Sequence, residues 1–434
     1  MKVDSSQNPS LRIAIAGAGI AGLVAAHTLR NLGYRNITIF EALDRIGGKV
    51  HTIERDGCLY ELGAIFLLDS YKTISALAKQ YNVLLTRRSE KTTIISNGKP
   101  VSPMKFMHAE YSWMAIIRAQ FRLFRILSKL KNLDTPGFSN VAPELYQNFK
   151  DFAARNKLEP FVHLFEPAII GYGYGYLDQT PALYYLKMLR SLVRFMLKDQ
   201  LNSTLGLNLG TMKMFDEGYQ GFLQKIADDF DVRVNARITE VRREQVEGSI
   251  RINITTNKSK ETFDRLIISS VPAHTMEFLD ANDEEKEIFS RVRFYHFKVT
   301  QFYGQGLPPR GSLIFEDSVS VRGLPGSIGK LAPESNIYQA YQMYWGEVSE
   351  KELEQRLEEA VSSIGGKIEE IVTSETFAYF PHFSEEDLLN LRPYGRLDRM
   401  QGRNGTYYIG GLFNFESTEN TAAYAEYMMN KHFS

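Results

Sequence analysis

The sequence predicts an α/β fold in two parts: a doubly wound domain of parallel strands and helices, and a second domain of mixed β-sheet plus a helical cap. Three observations predict it. A glycine-rich turn, Gly17-Ala18-Gly19-Ile20-Ala21-Gly22, joins an apolar run to a helical pattern near the start of the chain. From Met104 to about Leu209 the pattern is helical, and from Asp231 onward it alternates with period two. The 434 residues are enough for about two to three domains at roughly 150 residues each.

Leu11 to Ala16 reads as a strand, Ala21 to Leu32 as a helix ended by Gly33, and Ile37 to Phe40 as a second strand ending at Glu41. A helix over Tyr71 to Tyr81 follows, then a hairpin of Thr92 to Ser96 and the segment after Gly98. The helical stretch holds Met104 to Leu130, the longest, then Tyr146 to Arg155 and Pro181 to Leu197. Asp231 to Val241, Ile250 to Thr256 and Phe263 to Val271 read as strands, the last closed by Pro272. After Phe294 to Tyr303 and a Pro/Gly-rich stretch, Pro308 to Pro333, come a strand over Tyr338 to Tyr344 and a charged helix over Ser349 to Ile364. The chain closes with Tyr407 to Gly411 and a final helix capped from Ser417 to Asn420.

The first turn carries chemistry. Gly17 permits the tight turn, Gly19 lets a pyrophosphate approach the backbone, and Gly22 lets helix and strand pack closely, with the positive helix end facing the phosphates. Glu41, nineteen residues beyond Gly22 at the end of the second strand, is suited to accept hydrogen bonds from ribose hydroxyls. A carboxylate there disfavours a 2′-phosphate, so NADP is the less suited dinucleotide, while NAD and FAD remain open at this point.

Arg45-Ile46-Gly47-Gly48-Lys49 follows directly. At this offset from a GxGxxG it resembles the glycine-doublet motif of two-dinucleotide flavoproteins, the FAD-dependent amine oxidase and desaturase-like superfamily. Asp56-Gly57 and Glu61-Leu62-Gly63-Ala64 look like that family's turn beside the isoalloxazine, the strand around Val234 like the one that meets the adenine, and Tyr407 to Gly411 like its C-terminal flavin segment. The resemblance implies FAD as cofactor, held by Gly17, Gly19, Ala21, Gly22, Glu41, Ala42, Gly48, Lys49, Gly63, Ala64, Val234, Gly410 and Gly411. It implies a discontinuous GxGxxG FAD-binding domain (1–85, 207–285 and 395–434) and a substrate domain (86–206 and 286–394) whose helical cap spans 104–206. Lys49 replaces the commoner arginine. Gly411 stands where the family places an acidic residue that bonds the ribityl chain, leaving Glu416 or Glu419 as substitutes.

Within that superfamily the sequence most resembles the polyenoic fatty acid isomerases, through Gly171-Tyr172-Gly173-Tyr174, Pro181 to Leu189, Tyr379-Phe380-Pro381-His382 and Met400-Gln401-Gly402-Arg403. The resemblance implies an FAD-dependent enzyme taking a hydride from an allylic C–H of an apolar free carboxylic acid and returning it to another carbon. It puts Arg88 where a substrate carboxylate is anchored; a guanidinium is the right partner for one. Read from its own surroundings, without the resemblance, Arg87-Arg88 is first a solvated dibasic turn. Lys298 is the candidate catalytic residue of the alternative, an amine or amino-acid oxidase, against a strand-exposed lysine. A third alternative, of another class, is a non-catalytic lipid-binding escort on the same scaffold, which the intact glycines oppose.

Cys58 reads as a buried small residue, and His51 and His382 as hydrogen-bonded structural histidines. Met104 to Leu130 sets Phe106, Trp113, Ile116, Ile117, Phe121, Phe124 and Leu127 against Lys105, Arg118, Arg122, Arg125 and Lys129. It reads first as a lid helix packed over the substrate tunnel with its basic face in water, and second as a peripheral membrane contact.

Composition narrows the remaining classes. Lys plus Arg and Asp plus Glu both number 51, so no global basic field exists to hold nucleic acid. One cysteine excludes an internal disulfide, and no metal site is expected. Ile13 to Ala26 is apolar enough to suggest a signal-peptide core, but its glycines fall at the spacing of a phosphate-binding turn. The expected location is cytoplasmic.

Overall fold

The computed structural model describes residues 8–88, 91–138, 140–190, 192, 212–270, 272–332 and 334–434. Its centre is a five-stranded, all-parallel sheet in the order Asp231–Arg233, Asn36–Phe40, Arg12–Ala16, Arg265–Ile268, Thr406–Tyr408. The apolar run Ile13 to Ala16 is buried because this strand is central and covered on both faces. The helix that follows, Ile20–Asn31, is buried from Ile20 to Leu29 and packs against the final helix, Thr418–Phe433. Strand order reverses beside Arg12–Ala16, and a crevice at the carboxyl ends of strands at such a switch point is where this kind of sheet binds ligands. Gly17, Glu41, Ser269 and Ile409 all emerge at that edge.

A mixed seven-stranded sheet lies beyond, ordered Lys367–His382, Arg293–Gln305, Ile337–Tyr344, Pro325–Gly329, Ser312–Phe315, Thr92–Ser96, Lys99–Val101. Ser312–Phe315 runs parallel to Thr92–Ser96 and the other pairs are antiparallel. Helices Pro103–Glu110, Trp113–Lys129, Phe149–Arg155 and Glu159–Gly171 and the helical residues 182–190 make up the described helical region.

Several expectations are corrected. Asp231 to Val241 is two strands in two sheets, Asp231–Arg233 and Ile238–Val246, because Asn235 takes a φ of 51° and turns the chain out of the parallel sheet. Phe263 to Val271 divides likewise between Lys260–Phe263 and Arg265–Ile268, and Val271 lies outside the described residues. The longest helix breaks at Tyr111, where Ser112 caps a new start by accepting from the Ala115 N–H at 3.4 Å. The far end of Pro181 to Leu197, and of the cap to 206, lies outside the described residues. The stretch over Pro308 to Pro333 contains two strands of the large sheet. Lys367–His382 is a strand that the sequence reading passed over. Cys58 is half-buried rather than buried. Among the described residues, no helix is long and apolar enough to cross a membrane and no metal-binding cluster occurs.

Candidate active site

A cavity of about 960 Å³ opens at the switch point and runs between the parallel sheet and the seven-stranded sheet. Gly17, with φ of 104°, makes the turn that opens it, and a Cβ there would meet Ser269 Oγ at 2.7 Å. Gly22 lies behind the turn; a Cβ on it would fall 2.0 Å from the Gly17 carbonyl oxygen, so its role is packing. The helix Ile20–Asn31 begins at Gly19 with no side-chain cap and no acid in its first turn, so its free N–H groups face the cavity. That is a built anion site of the kind a pyrophosphate takes.

Glu41 is 7 % exposed, and its carboxylate is aimed by two backbone donors, Ala18 N–H at 2.8 Å and Leu43 N–H at 2.9 Å. Each oxygen keeps capacity to accept another hydrogen bond. Gly47 and Gly48 pack on the first turn, Gly47 donating to the Ala18 carbonyl at 2.9 Å. Among the expected cofactor residues, Gly17, Gly19, Ala21, Glu41, Ala42, Gly48, Lys49, Gly63, Ala64, Gly410 and Gly411 all line the cavity. Val234 does not: its carbonyl accepts from Lys258 Nζ at 3.1 Å, and the wall begins at Ala236.

Lys49 finds a partner that the sequence reading had left as one of two substitutes. Its ammonium pairs with Glu416, whose other oxygen accepts the Phe380 N–H, and it sits 5.3 Å from the Tyr379 ring centre. Burial pushes the Glu416 carboxyl up, opposed by Lys49 and the Phe380 N–H. Glu419 is occupied elsewhere, accepting from Lys72, Thr73 and Ile74 N–H at 2.7 to 3.0 Å and so capping the helix Thr73–Gln80.

The remaining candidates lie apart from the wall. Lys298 does not line the cavity; its neighbour Phe297 does, and strand alternation turns Lys298 to the opposite face. There it is 3 % exposed and paired with Glu350 on the helix Glu350–Ser363, so it is neither solvated nor at the site. Arg88 sits just behind the wall on the strand Leu85–Arg88, donating to the Leu331 carbonyl at 3.3 Å, and Leu331 lines the cavity. Arg87 points the other way and pairs with Asp69 at 3.1 Å. His51 bonds Glu375 at 2.5 Å, and His382, pushed down to about 4 by burial, bonds the Phe380 carbonyl at 2.8 Å. Both are hydrogen-bonded, and neither is among the described lining residues of the cavity.

Every charged or histidine side chain among the described lining residues comes from the chain around the parallel sheet: Glu41, Lys49, Arg237, His274, Glu277 and Glu416. The described lining residues within 92–192 and 297–381 include none. Sequence reading missed these apolar wall positions, including Phe165, Phe297, Tyr341 and Phe377; alternation along Arg293–Gln305 and Ile337–Tyr344 was the available signal.

The description "flavin containing amine oxidoreductase" matches residues 20–372. The chain belongs to the flavin-containing amine oxidoreductase family. It is accordingly an FAD-dependent enzyme, and the uncapped helix start, the oriented Glu41 and the glycine-lined approach fit that cofactor. The cofactor-free escort reading is thereby set aside. Polyenoic fatty acid isomerase of Ptilota filicina is 30% identical over 201 residues, 40% of each chain. Protoporphyrinogen oxidase 2 of Arabidopsis thaliana is 32% identical over 94 residues, 21% of this chain and 18% of its own. The chain thus aligns with less than half the length of these curated relatives. In structure, the CLA-producing fatty acid isomerase from P. acnes superposes with a TM-score of 0.89 at 25% identity, covering 99% of this chain and 100% of that one. A putrescine oxidase bound to putrescine shares the fold at a TM-score of 0.69 and 15% identity, over 97% and 98%.

Proposed function

We propose that this enzyme moves double bonds in a polyunsaturated free fatty acid without net oxidation. A hydride leaves an allylic C–H and returns to a different carbon of the same chain. The observation that carries the reading is the wall from residues 92–192 and 297–381, whose described lining residues include no charged side chain or histidine to receive an ammonium or an amino acid's charges. Burying such charges without a partner is costly, whereas a hydrocarbon chain needs none. The activities named for the Ptilota filicina and P. acnes isomerases support the same reading.

Bound FAD supplies the hydride acceptor and donor. The chain's own residues do the rest. Gly17, Gly19, Ala21 and the open helix end would bind the pyrophosphate, Glu41 the adenosine ribose, and Gly48, Gly63, Ala64 and Gly410 would let the backbone lie close to the cofactor. The Lys49–Glu416 pair would hold its polar middle section. Phe297, Tyr341 and Phe377 would exclude water from the reacting carbons. We assign Arg88 to the substrate carboxylate, reached beside Leu331, and the FAD domain to 1–85, 207–285 and 395–434. Val234 would serve by supporting the wall at Ala236.

The test is incubation of the holoenzyme with a polyunsaturated free acid under an oxygen electrode. Conjugated-diene absorbance should grow with no oxygen consumed and no peroxide formed. Stoichiometric peroxide with an amine or amino acid, and no isomer from any polyunsaturated acid, would overturn the reading.

A further inference from the structure

The helix Trp113–Lys129 has three longitudinal faces where a surface helix ordinarily has two. Ile116, Ala119, Leu123 and Leu127 are buried. Trp113, Met114, Ile117, Phe121 and Phe124 form a second apolar stripe that faces outward, with exposures of 58%, 64%, 58%, 69% and 37%. Arg118, Arg122, Arg125 and Lys129, recurring at helical spacing, edge that stripe, and the helix holds no acidic residue. Among the described residues no carboxylate pairs with Arg118, Arg125 or Lys129.

We propose that this face docks on an anionic phospholipid bilayer surface, with the helix lying in the interface. Aromatic and aliphatic side chains beside a row of cations match the boundary between acyl chains and acidic headgroups, where such a helix settles roughly 5 to 10 Å deep. Charge complementarity favours lipid over a second copy of this chain, since a two-fold contact would bring two all-basic borders together. The chain is neutral overall, so the attraction belongs to this face and not to net charge. The docked helix packs directly on Glu159–Gly171, whose Phe165, Ala168 and Ile169 line the cavity. A substrate dissolved in the bilayer would then meet the protein beside its apolar wall. That last step rests on the fatty acid reading; the docking does not.

Trp113 and Trp345 are the two tryptophans of the chain, so Trp345→Phe leaves Trp113 as sole reporter. Its emission should be solvent-exposed and acrylamide-quenchable in free holoenzyme, and should shift blue with phosphatidylcholine–phosphatidylglycerol vesicles but little with phosphatidylcholine alone. Wild-type holoenzyme should co-sediment with the anionic vesicles. Phe121→Ser/Phe124→Ser and Arg118→Glu/Arg125→Glu should each weaken co-sedimentation roughly tenfold or more, with turnover of detergent-dispersed substrate unchanged. No binding to either vesicle, equal binding to both, or a Trp113 already shielded in the free protein overturns the proposal. So does a dimer in light scattering that Phe121→Ser/Phe124→Ser converts to monomer. Because binding is read without substrate, failure of the isomerase reading would leave this result standing, and the reverse also holds.

Discussion

A Cβ added to Gly411 would stand 2.9 Å from the Cβ of Glu416. A side chain at position 411 would crowd Glu416, whose Cβ, Cγ and Cα would all lie within 3.2 Å of it, so glycine there leaves Glu416 its place. Glu416 holds Lys49 at the cavity wall. Glu416→Gln should therefore weaken FAD binding by about 10- to 100-fold, the loss of one charge-assisted contact at roughly 1.5 to 3 kcal/mol, read by titrating apoprotein with FAD. Gly411→Asp should weaken it too, because the new carboxylate meets Glu416. Unchanged affinity in both variants would reduce the pair to a purely structural role.

Arg88 and Arg87 provide a paired test, because strand alternation sends them to opposite sides. Arg87 is taken by Asp69, whereas Arg88 donates to the carbonyl of Leu331 on the cavity wall. Arg88→Ala should raise KM for a free acid about 10- to 100-fold and leave its methyl ester nearly unaffected. Arg87→Ala should change neither value. Equal effects on acid and ester would exclude a carboxylate contact.

The legible part of this protein was the part governed by local rules. The turn from Gly17 to Gly22, the strand ending at Glu41 and the Ser417 cap each follow from a few adjacent residues, and each appears within about two residues of its expected place. Lys367–His382 was missed because it is an edge strand. Its Glu369, Glu370 and Glu375 interrupt the apolar alternation, as charges on exposed edges do. Pro325–Gly329 was hidden by its own composition, although proline is tolerated at the first residue of a strand. Pro167 concealed the helix Glu159–Gly171 in the same way. The pairing of Lys49 with Glu416 spans 367 positions, and no local pattern encodes so distant a contact.

Glu61 gives a pH signature. Its carboxyl is buried beneath the loop to Gly63, accepts from Tyr219 N–H and Thr52 Oγ at 2.7 Å each, and is pushed up to about 7, chiefly by desolvation. The folded state thus holds this proton more tightly than the unfolded chain does, so the stabilisation is complete below about 4.5 and is lost as pH rises toward 7. The difference is at most about 3 kcal/mol. In urea titrations between pH 4.5 and 8, Glu61→Gln should flatten this fall relative to wild type. A parallel pH dependence in both proteins would show that Glu61 titrates normally.

Lys298 decides how far the oxidase alternative can be taken. On sequence position it was a candidate to act at the flavin, yet it emerges behind Phe297 and pairs with Glu350, away from the cavity. Glu350 is 66% exposed, so water can solvate it once the ammonium is gone. Lys298→Met replaces a buried amphipathic side chain with an apolar one of similar length, and should change stability by no more than about 1 kcal/mol. Flavin spectrum, isomer formation and anaerobic reactivity toward amines should all match wild type. A catalytic lysine would behave differently: its loss would slow turnover with the fold and FAD content intact. Such slowing would mean that the strand Arg293–Gln305 turns its other face to the cavity, and it would restore the oxidase as a competitor.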